Sequence, residues 1–266
     1  MHTKSRRKRA RRPLGVILYQ GPSRIDGKPI VLIATLNSRN KKTGNMIQTW
    51  ILRRDVSPIA AINTGADESI CGYCPLRGIV MQLARRKGKR AKVNKKRGCY
   101  VAVAQAPLSI YGAFKRGRYE HYDKERHAKY FEGRSLRLGA YGDPVAVPLP
   151  AWKRVLPLVV GRTGYSHQWR EIKFQRWSKY IMASTHSIDE NEQARRLGWR
   201  SFRTRTADQP IADDEIICPA SDEAGKRLTC GTCFACKGGR PQQRSIVIIG
   251  HGSRSILGSV NRVSMN

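Results

Sequence analysis

The sequence is short of acidic residues and has no long apolar run. Only 19 Asp and Glu stand against 51 Lys and Arg among 266 residues, so the formal net charge is +32. No stretch approaches the roughly 18 apolar residues that a membrane-spanning helix needs, which argues against a membrane partner. The basic start, MHTKSRRKRARR, is not followed by the apolar segment of a secretory signal. We therefore expect a cytoplasmic protein.

Several short catalytic motifs are missing as well. The chain has no GxxxxGK[ST] phosphate loop and no GxSxG motif. It has no pair of histidines around one apolar residue, as in rolling-circle nicking enzymes, and no HxE followed by PCxxC, as in zinc deaminases. These absences argue against P-loop nucleotidases, nicking nucleases and zinc deaminases.

The excess of basic residues is spread through the chain. Without the seven basic residues of 1–12 and the nine of 85–97, the net charge is still +16. Such a field concentrates polyanions, of which nucleic acid is the commonest, so we predict a DNA or RNA partner. The arm at 1–12 is either a contact of this kind or a disordered solubilising tail. The predicted nucleic-acid-binding residues are Arg85, Arg86, Lys87, Lys89, Arg90, Lys92, Lys95, Lys96 and Arg97.

The seven cysteines form two groups and suit a reducing compartment, where thiols bind metals or stay free. Cys218, Cys230, Cys233 and Cys236 form the second group, with a CxxCxxC run at its end. Zinc sites usually use two separated pairs, whereas a CxxCxxC run is typical of iron–sulfur ligation. We predict a metal centre, with iron–sulfur ahead of zinc and free buried thiols as the alternative.

The first group, Cys71, Cys74 and Cys99, offers only three thiolates. A zinc site would need a fourth ligand, for which His121, His127 and His167 are candidates. A [4Fe–4S] cluster would instead keep one iron open to a substrate or cofactor. The alternative is a CxxC pair that is redox-active or inert, with Cys99 buried in a strand.

Short apolar strands that alternate with helices predict an α/β fold, with a mainly parallel sheet or partial barrel. Pro75 should open a helix whose buried face is Leu76, Ile79, Val80 and Leu83, and CYVAVAQ at 99–105 should form the next strand. The predicted divisions are a basic arm at 1–12, a single domain at 13–252 and a tail at 253–266. Within the domain we predict antiparallel strands at 13–56, an α/β core at 57–217 and a cysteine segment with the last strand at 218–252.

Polar residues recur where the predicted strands end, and in α/β folds ligands bind beyond the carboxyl ends of the strands. These residues are Asp143, His167, Ser184, His186, Arg205, Cys218 and His251. Asp143 could hold an amine, a metal or a ribose hydroxyl, or belong to an ordinary turn. The aromatics of RYEHYDKERHAKYFEGR could stack on unpaired bases, or the segment could be an exposed irregular helix.

Five segments together resemble an uncharacterised family of phage and prophage proteins. They match CGxCPxRG, GCYV, LGAYGDP, a GYTHQW-like stretch and CPAS…TCxxCxxC, and the match covers roughly residues 14–252. Here they stand at Cys71–Gly78, Gly98–Val101, Leu138–Pro144, Gly164–Trp169 and Cys218–Cys236. More distantly the chain is similar to radical-SAM barrels, although the usual CxxxCxxC is missing and a basic insertion separates Cys74 from Cys99.

This resemblance implies that Cys71, Cys74 and Cys99 hold a four-iron cluster, with S-adenosylmethionine as a further cofactor. It places Tyr73 near the adenine, and Gly142 and Asp143 at the methionine amine. The leading hypothesis is therefore a phage-type iron–sulfur protein with a nucleic-acid-binding surface. If it is an enzyme acting on nucleic acid or its precursors, Asp143 and His167 are the candidate catalytic residues.

Two other hypotheses stay open. One is a non-enzymatic DNA- or RNA-binding protein for phage replication or packaging, stapled by zinc at both cysteine groups. The other is a virion or host-interaction protein whose charge serves assembly. The sequence predicts neither a nucleic-acid sequence preference nor an oligomeric state.

Overall fold

A computed structural model describes residues 13–38, 40, 42–78, 97–225 and 227–250. Ten strands in these ranges form one sheet, in the order β4-β1-β2-β3-β5-β6-β7-β8-β10-β9. The strands are β1 Gly15–Pro22, β2 Pro29–Thr35, β3 Ile47–Arg53, β4 Glu120–His121, β5 Ser135–Tyr141, β6 Gly161–Ser166, β7 Met182–Thr185, β8 Ser201–Arg205, β9 Glu215–Ile217 and β10 Ser245–Ile249. The predicted α/β class is confirmed.

Short helices connect the strands. The α-helices are α1 Pro58–Thr64, α2 Glu68–Cys71, α3 Ala106–Lys115, α4 Lys124–His127, α5 Leu149–Lys153, α6 Ile188–Arg196 and α7 Cys230–Cys233. Turns of 3-10 helix span Pro75–Arg77, Ala128–Tyr130, Pro144–Ala146, Leu156–Leu158 and Ile172–Lys179. Across the described ranges, no helix has both the length and the apolar character needed to cross a bilayer.

The antiparallel strands predicted at 13–56 are confirmed. Strand β1 pairs with β2, and β2 pairs with β3, both antiparallel. Between β1 and β2 the chain turns at Asp26 and Gly27, where an Asp26 carboxylate oxygen accepts a hydrogen bond from Lys28 N at 3.0 Å. Almost every residue of β2 is buried, because this strand lies inside the sheet and its branched apolar side chains are covered on both faces.

From β3 onward the strands are parallel. Strand β3 pairs with β5, and the parallel pairing continues through β6, β7, β8 and β10 to β9. Parallel strands end at the same edge of a sheet, so the segments that follow β5, β6, β7 and β9 meet there. The mostly parallel sheet is thus confirmed, whereas its curvature into a partial barrel stays a prediction.

Two local predictions are wrong. The segment 99–105 is not a strand; it is irregular up to Ala102 and then turns into α3. The physical reason is that β3 pairs directly with β5, which leaves no position for another strand between them. In addition, Pro75 opens only a 3-10 turn of three residues instead of the predicted helix, and Cys71 lies at the end of the preceding α2. The rest of the predicted helix, with Ile79, Val80 and Leu83, lies outside the described residues.

The aromatic segment at 118–134 serves the core instead of an exposed surface. Tyr119, Tyr122 and Phe131 are buried, and the rings of Tyr122 and Phe131 meet edge to face at 5.7 Å between centroids. These three rings are therefore not free to stack on bases. His127 is buried among them, and its Nδ1 accepts a hydrogen bond from Asp123 N at 2.9 Å.

Helix α6 begins with an altered form of the capping box. Ser187 Oγ accepts a hydrogen bond from Glu190 N at 3.1 Å, as an N-cap should. The Glu190 carboxylate, however, accepts from His186 N at 2.7 Å and not from the N-cap amide. Helix α6 thereby fixes the backbone of His186 at the end of β7.

Candidate metal-thiolate cavity

One cavity of about 400 Å³ is lined by all seven cysteines. We call it the thiol cavity. The two cysteine groups lie far apart in the sequence, and the structure brings both to the same wall. All seven are free thiols, of which Cys218 and Cys236 are buried and the other five are half-buried. The size is within the range of about 300–1,000 Å³ that small-molecule sites occupy.

The strands build this cavity from alternate residues. Side chains on a strand point to opposite faces in turn, so every second residue of five neighbouring strands faces the same side. The lining residues from the sheet and its strand ends include Arg137, Gly139, Tyr141, Thr163, Tyr165, His167, Ser184, His186, Phe202, Thr204, Ile246 and Ile248. Aromatic and aliphatic side chains predominate among them, with a few hydroxyls, imidazoles and one guanidinium.

Gln168 clamps the CxxC loop from the end of β6. Its Nε2 donates to Cys71 O at 3.0 Å, and its Oε1 accepts from Tyr73 N at 3.2 Å. Gly72 between them has φ +53°, and a Cβ there would lie 2.4 Å from the Gln168 amide. The glycine is thus needed both for its backbone conformation and for the close approach of the amide. Sequence reasoning missed Gln168, although it directly follows a predicted site histidine.

Asp67 ties down both sides of the first cysteine group. Its carboxylate pairs with Arg77 at 2.9 Å and with Arg97 at 3.2 Å, and the Asp67 side chain is only 3% exposed. Arg77 also donates to Gly72 O at 2.8 Å. This pairing brings the segment that carries Cys99 beside the CxxC loop. Arg97 was predicted to contact nucleic acid, but in the structure it is mostly buried and bound to Asp67.

Burial opposes the ionisation of Cys71 and Cys74 in the first cysteine group. Burial, Cys74 and the Asp67 carboxylate raise the pKa of Cys71 well above its ordinary value. Burial and then Cys99 raise the pKa of Cys74 to about 12. Cys71 and Cys74 are therefore protonated at neutral pH, and a bound metal cation would have to displace these protons.

Two buried donors beside this group lack an acceptor. Neither Arg97 Nη2 nor the Tyr141 hydroxyl has a hydrogen-bond partner among the described residues. Burial and then the nearby Cys71 raise the pKa of Tyr141. Burial opposes the charge of Arg97, but the neighbouring Cys99 and Tyr141 raise its pKa. Both side chains therefore lie close to these thiols. A thiolate or a cluster sulfide would accept from such donors. The donor set therefore fits an anionic metal–thiolate centre at Cys71, Cys74 and Cys99.

Asp143 is buried at the end of β5, with its oxygens occupied by protein donors. Oδ2 accepts from Ser166 Oγ at 3.0 Å and from His167 N at 2.9 Å, while Oδ1 accepts from Val145 N at 3.2 Å. Burial, which outweighs these hydrogen bonds, raises the pKa of Asp143 to about 6. Gly142 has φ +86° and packs against Ile51 and Ile70. An amine ligand would have to compete for the Asp143 oxygens.

His167 and His186 form a stacked pair on the cavity wall. Their Nε2 atoms are 3.2 Å apart, and His167 Nε2 lies 3.8 Å from Cys74 Sγ. His186 Nδ1 lies 2.6 Å from the Thr204 hydroxyl. Burial lowers the pKa of His167 to about 3 and also lowers that of His186, so both rings are neutral at physiological pH. Of the three histidines proposed as a fourth ligand, only His167 lies beside a cysteine.

The second cysteine group is docked against the sheet by close backbone contacts. Cys230 N donates to Lys42 O at 3.3 Å, and Gly164 N donates to Cys236 O at 3.3 Å. The Phe234 ring lies over Gly161, where a Cβ would be 2.5 Å from it. Gly161 thus lets the Phe234 ring lie directly on β6, and the backbone amide of Gly164 holds Cys236 there.

The four thiols of this group influence one another. Burial raises the pKa values of Cys218, Cys230 and Cys236, and neighbouring thiols of the group raise them further. The Tyr165 hydroxyl hydrogen-bonds to Cys236 and favours its thiolate, while Arg137 favours that of Cys230. Cys218, Cys230 and Cys236 therefore each lie within electrostatic range of other thiols of the group. That the four surround one metal centre stays a prediction. Burial again opposes ionisation without a cation.

A preformed site for one metal ion is not present. In the described ranges, no three His, Cys, Asp or Glu side chains are arranged so that they could hold a single ion. The thiolate donors and their unpaired neighbours are suited to a metal, but the side chains would have to move to close on it.

Several predicted site residues lie away from the cavity. The Tyr73 ring is 76% exposed and lines a separate space of about 140 Å³ that also contacts His167 and His186. Arg205 is turned to the carbonyl oxygens of 206–209 and to Glu223. His121 and His127 do not line the thiol cavity. His251 and the predicted nucleic-acid residues Arg85–Lys96 lie outside the described residues, as does the arm at 1–12.

No family model, curated protein or solved structure matches this chain. The resemblance to phage proteins and radical-SAM barrels is therefore a prediction from the motifs quoted above.

Proposed function

We propose that this chain is a phage-type metal-binding protein, with iron–sulfur as its leading cofactor and a basic surface that binds nucleic acid. The observation that carries the metal proposal is the convergence of all seven free thiols on one cavity. Structural cysteines can pack singly anywhere in a core. Here two cysteine groups line one cavity, and burial opposes the ionisation of their thiols. Binding of metal cations, which would stabilise the thiolates, explains this arrangement better.

The first group would hold a cluster through Cys71, Cys74 and Cys99. Three thiolates on four irons leave one iron open to a further ligand. The chain's own part would be to position the sulfurs: Gln168 holds the CxxC loop, and Asp67 holds the segment that leads to Cys99. Arg97 and Tyr141 would donate to sulfur, and the neutral His167 beside Cys74 is available as a ligand or a hydrogen-bond partner.

The alternative is a zinc-stapled, non-enzymatic DNA- or RNA-binding protein. The second group favours it most directly, because four thiolates from Cys218, Cys230, Cys233 and Cys236 complete a tetrahedral zinc site. For the first group the zinc reading requires His167 as the fourth ligand, which its position beside Cys74 permits.

We expect protein purified without oxygen to contain iron and acid-labile sulfide and to absorb broadly near about 400 nm, the region of iron–sulfur clusters. Metal and sulfide analysis with an absorbance spectrum checks this. Replacing Cys71 and Cys74 together by Ser should remove the metal of the first group only, and Thr64→Ser, at an exposed helix end nearby, is the control. A colourless protein with about two zinc ions per chain would support the alternative instead.

The nucleic-acid part of the proposal is supported by charge. The net charge stays at +16 without the arm and the loop, and exposed basic side chains are also found in the described body, for example at Lys124, Lys129, Lys173 and Lys179. Polyanion binding depends on such a field and on the release of counterions. The loop at 85–97 joins the two segments of the first thiol group, which would put polyanion and metal side by side.

Neutralising Lys87, Lys89, Arg90, Lys92 and Lys95 to Gln is expected to flatten the salt dependence of nucleic-acid binding. The slope of log K against log salt should fall by about one unit for each lost phosphate contact. Titration of a labelled duplex and a single strand at several salt concentrations measures it. The control neutralises Lys115, Arg116 and Arg118, which are exposed at and just after the end of α3. A loop variant whose slope equals that of the wild type would exclude the loop from the interface.

An enzymatic role with S-adenosylmethionine is a further part of the proposal. The protein groups that the resemblance assigns to it, Asp143 and Tyr73, do not both face the thiol cavity. If this cofactor binds, Asp143 would first have to give up a donor such as Ser166. Its more direct role is to hold the ends of β5 and β6 together, and thus to position Gln168 against the CxxC loop.

A further inference from the structure

Arg137 stands on the wall of the thiol cavity without a carboxylate to balance it. It lies in the middle of β5, and its Nη2 donates to the Tyr100 hydroxyl at 2.8 Å. Its Nε is buried and has no hydrogen-bond partner among the described residues. Asp143 is the only acidic residue that lines the cavity in the described part of the chain, and its oxygens accept from other donors.

A guanidinium removed from water without a counter-charge is costly, so such groups are normally paired. Buried Arg203 pairs with Glu215, and Arg77 pairs with Asp67. Buried Arg200 has no carboxylate and donates instead to the backbone carbonyl oxygens of 235, 238 and 244. Arg137 Nε has neither kind of partner, and Lys42 adds a second positive charge to the same lining. An anion that enters the cavity would supply the missing partner.

The cavity that Arg137 faces has an aromatic lining. Tyr141, Tyr165 and Phe202 line the cavity, and the rings of Tyr165 and Phe202 lie 4.5 Å apart between centroids. Aromatic faces stack on planar heterocycles, and a guanidinium presents a planar fork that suits phosphate. Hydroxyls of Thr163 and Thr204 on the same wall could bond to the polar edge of a ring or sugar.

We propose that the thiol cavity binds a small planar organic anion of the nucleoside monophosphate class, with its phosphate on Arg137. This ligand does not require the metal of the proposed function, because Arg137 and the aromatic wall are present in the chain itself. A different source of negative charge is the metal-loaded second cysteine group, whose Cys230 interacts with Arg137. Measuring binding with metal-free, reduced protein separates the two sources.

The test is calorimetric titration of the metal-free full chain with the four 5′-ribonucleoside monophosphates, with adenosine and with inorganic phosphate. We expect saturable binding of at least one monophosphate, and binding of adenosine and of phosphate at least tenfold weaker. Arg137→Gln should weaken monophosphate binding at least tenfold. The control is Arg162→Gln on the neighbouring strand β6, whose guanidinium bonds to the carbonyl oxygens of Lys179 and Tyr180 and does not line the cavity; it should stay within twofold.

Three results would overturn the proposal: no saturable binding of any monophosphate, phosphate alone binding as tightly, or Arg137→Gln binding like the wild type. The comparison of ligands on the wild-type protein decides even if Arg137→Gln does not fold. Metal analysis of the same preparations reports on the proposed function independently. If the chain binds monophosphate but takes up no metal, the ligand proposal stands and the metal centre is refuted. If it takes up metal but binds no monophosphate, the metal centre stands and the ligand proposal is refuted.

Discussion

Replacing Cys233 by Ser is expected to lower the free energy of unfolding of the metal-loaded protein by roughly 3–5 kcal/mol. This is part of the about 10–16 kcal/mol that a structural metal can supply to a small site. In the metal-free protein the same change should cost less than about 1 kcal/mol, because the Cys233 thiol is only half-buried. Denaturant unfolding of both forms, with metal content measured in parallel, gives the two numbers.

The control for this prediction is Thr232→Ser, one residue away in the same helix. Thr232 is exposed, and its hydroxyl bonds to Thr229 O, a contact that serine can keep. An equal loss of stability in the loaded and metal-free proteins would contradict a metal role for Cys233. Loss of metal with no change in stability would show that the second group binds metal without supporting the fold.

Glu215→Gln is expected to destabilise the protein by about 3–5 kcal/mol, with or without metal. Glu215 on β9 and Arg203 on β8 face each other across β10, and both side chains are at most 1% exposed. Their two hydrogen bonds are 2.7 and 2.6 Å long. The substitution leaves the buried guanidinium without a counter-charge. Denaturant unfolding at neutral pH measures the loss.

An exposed pair on α6 provides the matched comparison. Arg196 and Glu192 are 3.2 Å apart, but their side chains are 75% and 57% exposed. Such pairs are worth about 0–1 kcal/mol, so Glu192→Gln should change stability little. If the two Gln variants lost similar stability, the sheet edge at β8, β10 and β9 would not depend on the buried pair.

Strand periodicity made most of the fold predictable. Strands were predicted within 13–56 and at the end of the domain, and these are β1, β2, β3 and β10. The failure at 99–105 has a physical cause. An apolar run predicts burial but does not say against what, and here Val103 is buried in the core without joining the sheet. The tertiary pairing of β3 with β5 excludes 99–105 from the sheet, and no local sequence pattern predicts this pairing.

The candidate site was predictable residue by residue but not as one place. Spacing identified both cysteine groups, and strand ends identified His167 and His186. That both groups share a cavity depends on the crossing connections, which the sequence does not display. Arg137 and Gln168 were not predicted because neither belongs to a motif. Arg137 is a single basic residue within a strand, and Gln168 is a single amide next to a predicted site histidine.

The position of β10 has a consequence for how the chain is assembled. It is the last described strand, yet it lies between β8 and β9 and completes the sheet only after both have been made. The loop that carries Cys230, Cys233 and Cys236 connects β9 to β10, so it must pack against β6 as β10 pairs with its neighbours. Such late, long-range pairing is slow and entropically demanding. A metal bound before β10 pairs would fix this loop while the sheet is still incomplete. A metal bound afterwards would hold the loop on the finished sheet. Metal supply would therefore affect the folding yield as well as the final stability.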